Sequence, residues 1–228
     1  MPEAKRKAED EASSAIIRQT VEYVKGALEG NDASHDWRHI ERVWSLTKTI
    51  AATEAIEDTE VCELGALLHD IEDWKYSGSE TAGAEAAEKF LKEQKYDPAK
   101  TETVLKIIKG VGFKEELSAE KPTMFPELMC VQDADRLDAI GAIGIARCLT
   151  FGGKKCRKLY DPAEKPKLDL TKEEYKKHQG TTINHFYEKL LKLKDLMKTK
   201  SGKEIAEGRH QYMLEFLDRF DREVAGEM

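Results

Sequence analysis

The chain has 228 residues and a formal charge of −7, with 40% hydrophobic and 36% charged residues. This length is enough for one domain with a sizeable core, and the aliphatic content excludes a collagenous or wholly disordered chain. No apolar run approaches the roughly 20 residues that span a bilayer, and the acidic balance argues against nucleic acid as a bulk partner.

The first half of the sequence predicts helices that follow a loose, charged tail of residues 1–12. Apolar residues recur with a helical period, and no convincing run alternates as a strand would. Ser34 and Asp58 are predicted N-caps, and Asp97 precedes a proline at a first helical position. The predicted helices cover residues 16–28, 34–50, 58–68, 79–94 and 97–109.

The second half predicts one long helix over residues 127–150, a basic loop over 152–178, and helices over 179–198 and 202–224. No repeat of fixed period and no linker rich in Pro or Ser divides the chain. We therefore expect an all-α fold with a single domain of residues 13–226. Because the start of the sequence lacks the apolar stretch of a secretion signal, we also expect a cytoplasmic protein.

Four cysteines occur without any pair at CxxC spacing, namely Cys62, Cys130, Cys148 and Cys156. In a reducing compartment such cysteines are expected to be free thiols. Three of the four lie in apolar helical stretches, which is typical of packing residues. The cysteines therefore indicate neither a disulfide framework nor a closed thiolate zinc site.

Metal-ligand side chains occur at three separate places, each on the inward face of a predicted helix. His39 shares a helical stripe with apolar residues at offsets of four, seven and eleven. His69 and Asp70 end an apolar helix, and Asp135 falls among the apolar positions of the long helix. A carboxylate in that setting needs a partner, because burial of an unpaired charge is very unfavourable.

Two imidazoles and two carboxylates that face one interior form an N₂O₂ ligand set for a divalent cation. Such a set suits Mn²⁺, Fe²⁺, Co²⁺, Ni²⁺ or Zn²⁺ and leaves coordination positions open for water. An open site of this kind polarises a substrate oxygen and lowers the pKa of bound water, which favours hydrolysis at phosphorus.

The order His39, His69-Asp70 and Asp135 resembles the H…HD…D signature of the HD superfamily of metal-dependent phosphohydrolases. The flanking segments 35–43, 67–70, 132–141 and 182–191 are similar to its small stand-alone hydrolases. The resemblance covers residues from about 15 to 222, and the ordered set is far more specific than an isolated HD dipeptide.

This resemblance implies an all-helical HD-type fold and hydrolysis of phosphate esters or nucleotides. It selects His39 over His35, and Asp135 over Asp133, as metal ligands. Family members with two metals carry additional histidines in the middle of the chain, whereas no histidine lies between His69 and His178 here. The resemblance therefore favours a single ion, and we expect Mn²⁺, with Mg²⁺ also open.

Four further side chains are candidates for catalysis. Asp73 follows Asp70 by about one helical turn and is predicted to manage a proton, although Glu72 is equally available by composition. His35 lies one turn before His39, where it would orient a phosphate or support a ligand. Arg42 and Arg136 are close to the ligands in sequence and suit polyphosphate binding, with salt bridges as the alternative role.

Candidate substrate contacts, besides Glu72, are Lys75, Asn184 and His185. The leading hypothesis is a metal-dependent phosphohydrolase that attacks a nucleotide phosphorus with metal-bound water, as a nucleoside triphosphate pyrophosphohydrolase or a nucleotide phosphatase. The alternative is a metal-containing nucleotide sensor with little turnover. The expected partner is a small-molecule nucleotide, with neither nucleic acid nor membrane, and a homodimer remains open.

Overall fold

A computed structural model describes residues 2–30, 32, 35–71, 79, 81–116 and 122–227, with side chains excluded for residues 2–14, 114, 116 and 176. Over these residues the chain is helical and contains no strand, which confirms the all-α prediction. The elements are α1 (Pro2–Ala27), α2 (Trp37–Thr53), α3 (Thr59–Leu68), α4 (Ala82–Glu93), α5 (Pro98–Gly110), α6 (Phe113–Glu116), α7 (Pro126–Asp138), α8 (Gly141–Lys154), α9 (Lys172–Lys177), α10 (Asn184–Glu188), two 3₁₀ turns (Leu190–Lys192 and Lys194–Leu196) and α11 (Lys200–Val224).

Helix α3 lies at the centre of the fold, in contact with α1, α2, α5 and α7. Its residues are apolar on nearly all sides, and Leu64, Leu67 and Leu68 are completely buried. A short helix that is apolar all round is expected where neighbours cover every face. Since His69 and Asp70 directly follow the last residue of α3, this central position places the two predicted ligands in the interior.

Two predicted N-caps are confirmed. The Asp58 carboxylate accepts a hydrogen bond from the Val61 N–H at 3.1 Å, and the Asp97 carboxylate accepts one from the Lys100 N–H at 2.9 Å. Pro98 occupies the first turn of α5, where it removes no helical hydrogen bond. These ends are set by local chemistry, which is why the sequence predicts them.

The start of α2 differs from the prediction. Asp36 is the N-cap, and its carboxylate accepts from the backbone N–H groups of Arg38 and His39 at 2.9 and 3.2 Å. The predicted cap, Ser34, lies outside the described residues. Helix α1 begins at Pro2 and so includes the backbone of the segment predicted as a loose tail. The domain boundaries 13–226 stay a prediction.

The predicted long helix 127–150 is wrong, because the chain breaks between α7 and α8. Ile140 is extended, and Gly141 has a φ of +73°, a left-handed conformation that favours glycine. The Arg209 guanidinium of α11 donates to the carbonyl of Leu137 at 2.6 Å, which satisfies a backbone acceptor at the end of α7. The apolar pattern continues through the break and therefore conceals it.

The predictions for residues 152–198 also need correction. Helix α8 continues to Lys154, and α9 lies within the predicted loop, where Thr171 and Glu174 form a capping box. In place of the predicted helix 179–198, α10 begins only at Asn184, because the N–H groups of Thr182 and Ile183 donate to the carbonyls of Lys158 and Leu159. The helix then breaks at Lys189, whose φ of −137° is not helical. No helix of the described residues is both long and apolar enough to cross a bilayer.

Candidate metal centre and adjoining cavity

The four predicted ligands meet in the interior, although they come from three helices. The Asp135 Oδ1 atom of α7 lies 3.5 Å from the His39 Nε2 atom of α2 and 3.6 Å from the His69 Nε2 atom. The Asp70 Oδ2 atom lies 3.7 Å from the same His39 nitrogen. These distances exceed normal hydrogen bonds, which leaves the lone pairs directed at a common centre.

The orientation of His69 follows from its position at the end of α3. Its Nδ1–H donates to the carbonyl of Ala66 at 2.8 Å, one of the carbonyls left without a helical partner. This bond fixes the tautomer and directs Nε2 at the centre. The Nε2 atom is buried and has no hydrogen-bond partner among the described residues, as expected of an atom whose partner is an ion.

The orientation of His39 depends on the carboxylate of Asp138. The His39 Nδ1–H donates to Asp138 Oδ2 at 2.8 Å, which leaves Nε2 to bind a cation. Asp138 is the last residue of α7, and its side chain is only 2% exposed. Carboxylates in this position fix the ring of a metal-binding histidine and raise its basicity.

Two arginines compensate the charge of Asp138. Arg42 donates from Nε to Oδ1 at 2.7 Å and from Nη2 to Oδ2 at 3.0 Å, and Arg147 Nη1 lies 3.2 Å from Oδ2. Burial opposes ionisation of Asp138, but the hydrogen bonds from His39 and Arg42 lower its pKa to about 2. Asp138 is therefore a permanent anion behind His39.

The protonation states at the centre reflect burial and mutual attraction. Burial, with a contribution from the nearby Arg147 charge, lowers the pKa of His39 to about 4. Burial also acts against protonation of His69, but Asp135 and Asp70 raise its pKa to about 9. Asp135 has a strongly lowered pKa, because attraction by His69 and His39 exceeds the effect of its burial. The centre thus retains positive charge between two carboxylates.

A divalent cation fits these residues. His39, His69 and Asp70 each offer a ligand atom within 4.8 Å of the others, and Asp135 adds a fourth donor beside both imidazoles. Two nitrogens and two oxygens suit a first-row divalent metal and leave room for water or substrate. The buried Nε2 atom of His69 supplies the independent sign that a partner belongs at this centre.

The remaining candidates occupy several different environments. Arg136 is buried and donates to the carbonyl of Leu196 at 2.7 Å, and the Asn184 amide donates to the carbonyl of Glu164 at 2.9 Å. Both groups therefore tie segments of the chain together, which does not support the predicted phosphate or substrate contacts. Arg42 forms a salt bridge with Asp138, which is the alternative role that the sequence analysis gave it beside phosphate binding. Asp73, Glu72 and Lys75 lie outside the described residues.

His35 and His185 line a cavity of about 360 Å³ next to the centre. The His35 ring lies 6.2 Å from that of His39 and 5.5 Å from that of Phe151, measured between centroids. The cavity wall also contains four cationic side chains, from Arg147, Lys155, Arg157 and Lys189. Among the described residues, the only carboxylate of this wall is that of Glu188, which lies 2.9 Å from the His178 ring nitrogen. The described part of the wall is therefore strongly basic.

The sequence interpretation missed most of this basic wall. Lys155 and Arg157 belong to the basic run 154–158, which stands out in an otherwise acidic sequence. This run was the sequence feature that could have indicated the basic wall. Arg147 and Lys189 carry no local signal, because each is a single cation in a helical pattern. Their convergence depends on the turn between α7 and α8 and on the packing of residues 181–183 against 158–159.

Comparisons with known proteins agree with this geometry. A family profile described as the HD domain matches residues 36–140, the segment that holds all four ligands. The Bacillus subtilis protein YpgQ is 33% identical over 206 residues, which cover 90% of this chain and 91% of YpgQ.

Solved structures extend the likeness to nearly the whole chain. A Lactobacillus plantarum protein has a TM-score of 0.84 at 34% identity and covers 92% of this chain and 97% of its own. An HD-superfamily hydrolase of Bacillus thuringiensis has a TM-score of 0.71 at 38% identity, with coverages of 94% and 100%. YpgQ in complex with ADP has a TM-score of 0.72 at 31% identity, with coverages of 93% and 96%.

Proposed function

This chain belongs to the HD superfamily of metal-dependent phosphohydrolases, and from that premise we propose that it hydrolyses a phosphate ester or anhydride bond of a nucleotide. The reaction is either pyrophosphohydrolysis of a nucleoside triphosphate or removal of phosphate from a nucleotide. Mn²⁺ is the favoured ion, and the proposed place of action is the cytoplasm.

One observation carries the proposal: the buried His69 Nε2 atom, without a hydrogen-bond partner among the described residues, faces the His39 nitrogen and the Asp135 oxygen. A divalent ion bound there would supply Lewis-acid polarisation of a phosphoryl oxygen and acidify a coordinated water. His39, His69, Asp70 and Asp135 would hold it, and Asp138 would keep His39 in the tautomer that binds.

The cavity supports a phosphate-bearing substrate. In the part of the wall that the structure describes, four cations and one carboxylate, which contacts His178, produce a positive potential on a protein whose net charge is −7. Such a wall attracts anions and binds phosphate oxygens strongly. The relative YpgQ has been solved in complex with ADP, which supports a nucleotide as the ligand. His35 and His185 are then placed to donate hydrogen bonds to the substrate.

Asp73 remains the proposed proton-transferring group. It follows Asp70 by three residues in the sequence and itself lies outside the described part of the structure. If Asp73 acts on a proton in the reaction, Asp73→Asn will lower kcat and leave Mn²⁺ affinity unchanged. A variant with unchanged kcat would assign the proton to another group, such as Glu72.

The test uses protein that is first stripped with a chelator and then reconstituted with Mn²⁺, Co²⁺, Ni²⁺, Fe²⁺, Zn²⁺ or Mg²⁺. Each form is incubated with nucleoside monophosphates, nucleoside triphosphates and cyclic dinucleotides, with phosphate and pyrophosphate assayed separately. Asp70→Ala, which lacks one proposed ligand, is the control. Turnover that needs an ion and disappears in the variant is the expected result.

Two other outcomes would each replace the proposal. Tight nucleotide binding without product, even with Mn²⁺, would favour the sensor. Loss of stability on chelation together with no nucleotide affinity would favour a purely structural ion. Light scattering on the same samples gives the oligomeric state, including the homodimer that the sequence leaves open.

A further inference from the structure

Asp138 is bound by two arginines that differ in geometry and surroundings. Arg42 approaches both carboxylate oxygens as a fork, at 2.7 and 3.0 Å, whereas Arg147 reaches one oxygen with one nitrogen at 3.2 Å. A fork of two hydrogen bonds fixes the orientation of a carboxylate much more firmly than one longer contact. The orientation of Asp138, and with it that of His39, therefore depends mainly on Arg42.

The two arginines also face different parts of the molecule. Arg147 belongs to α8 and lines the basic cavity with Lys155, Arg157 and Lys189, with its side chain 14% exposed. Arg42 belongs to α2, is 33% exposed, and is not one of the residues that line this cavity. Arg147 thus connects Asp138 to the cavity, and Arg42 does not.

We infer that the arginines on Asp138 have separate functions: Arg42 positions the metal-binding His39 through Asp138, and Arg147 is a substrate-phosphate ligand that Asp138 holds ready at the cavity wall. A guanidinium that a buried carboxylate contacts is partly oriented before a phosphate binds, and the planar fork of arginine matches phosphate oxygens. This inference rests on the proposed function, because it takes the anion in the cavity to be a nucleotide phosphate.

The experiment compares Arg42→Gln with Arg147→Gln, a matched pair in which each variant removes one cation from the same carboxylate. Mn²⁺ alone is titrated, with the free ion followed by electron paramagnetic resonance. ADP is titrated separately by calorimetry in EDTA, so that no ion contributes. Thermal denaturation of both variants checks that they are folded.

The expected result is a crossed pattern. Arg42→Gln weakens Mn²⁺ binding about tenfold, as typical for the loss of an outer hydrogen-bond partner, and leaves ADP affinity within about threefold. Arg147→Gln leaves Mn²⁺ affinity within about threefold and weakens ADP binding at least about tenfold, the loss of one charge-assisted contact. Arg147→Lys, which keeps a cation at the wall, recovers most of the ADP affinity.

Three results would overturn the inference. The first is a pair of variants that behave alike in both titrations. The second is wild-type protein that binds no ADP in EDTA, and the third is an Arg147→Lys variant as weak as Arg147→Gln, which would indicate repacking of α8. Failure of the proposed function is recognised separately, because it is measured as absent turnover by the wild-type protein with its ion.

Discussion

Two of the three aspartates of helix α7, Asp133 and Asp135, lie two residues apart in the sequence and face different parts of the molecule. Asp133 is completely buried and accepts hydrogen bonds from the N–H groups of Lys198 and Thr199, at 2.9 and 2.7 Å, and from the Thr199 hydroxyl at 2.7 Å. Asp135 is 27% exposed and lies between the two imidazole nitrogens at distances too long for hydrogen bonds.

The comparison shows that burial of a carboxylate does not by itself identify a functional site. Asp133 faces the N-terminus of α11, where backbone N–H groups without helical partners satisfy it and the helix dipole favours a negative charge. Its close approach requires a glycine, because a Cβ atom at Gly202 would lie 2.4 Å from Asp133 Oδ2. What distinguishes Asp135 is a neighbouring polar atom, His69 Nε2, that lacks a hydrogen-bond partner among the described residues.

The largest expected effect is the loss of activity in Asp135→Asn. The substitution removes a charged ligand, so we expect turnover to fall about a thousandfold or more, or ~4 kcal/mol in activation free energy. Without metal, and near pH 10 where His69 with its pKa of about 9 is mostly neutral, the free energy of unfolding should stay within about 1 kcal/mol, because the attraction between Asp135 and protonated His69 is then largely absent. Steady-state kinetics and urea denaturation measure the two quantities. Retained activity would remove Asp135 from the ligand set.

The same substitution at the neighbouring position should have the opposite profile. Asp133→Asn replaces an acceptor of three hydrogen bonds by an amide whose NH₂ group opposes backbone donors, so the free energy of unfolding should fall by about 2–4 kcal/mol. Mn²⁺ affinity of the folded variant should stay within about threefold. Unchanged stability together with weakened Mn²⁺ binding would reverse the roles assigned to the two aspartates.

A substitution at Asp138 should have an effect of intermediate size, because Asp138 hydrogen-bonds to the metal-binding His39 and does not itself contact the ion. In Asp138→Asn we expect Mn²⁺ affinity to fall about 10- to 100-fold through loss of the His39 tautomer and orientation. Adding Arg42→Gln to Asp138→Asn should then weaken Mn²⁺ binding little further, because both changes break the same connection. Losses that simply add in the double variant would contradict a pathway from Arg42 through Asp138 to His39.

The smallest expected change in the free energy of unfolding concerns Glu54, which, like Asp133, accepts a hydrogen bond at the start of α11. Its oxygen accepts from the Ser201 N–H at 2.7 Å, and this bond lowers its pKa. A lowered pKa means that the stabilisation is present above the ordinary pKa of about 4.3 and is lost as the pH falls. Glu54→Gln should reduce the free energy of unfolding by less than about 1 kcal/mol at pH 7.

The pH comparison tests the origin of that small difference. As the pH falls from the ordinary pKa of glutamate through the lowered pKa of the folded protein, the Glu54 carboxylate becomes protonated, so the difference between wild type and Glu54→Gln should shrink. The exposed Glu57 provides a matched control, and Glu57→Gln should have little effect at either pH. A difference for Glu54→Gln that persists unchanged at low pH would show that charge is not its cause.

The sequence predicted those features that depend on nearby residues or on a distinctive order of ligands. The caps at Asp58 and Asp97 depend on N–H groups three residues away, and helical periodicity placed His39 and Asp135 on inward faces. Partners that are distant in sequence could not be predicted in this way. Asp133 meets residues 198 and 199, and Asp138 meets His39 and Arg147, only after the helices have packed.

The break at Ile140 and Gly141 sets the distance between the candidate metal centre and the basic cavity wall. Asp135 and Asp138 precede the break in the sequence and lie at the candidate metal centre. Arg147 and Lys155 follow the break and line the cavity wall. The angle at this joint therefore sets the distance between the metal centre and the basic cavity wall, which under the proposed function is the distance from the reacting phosphorus to a bound phosphate. Relatives that differ only here would retain the same chemistry and accept substrates of another length.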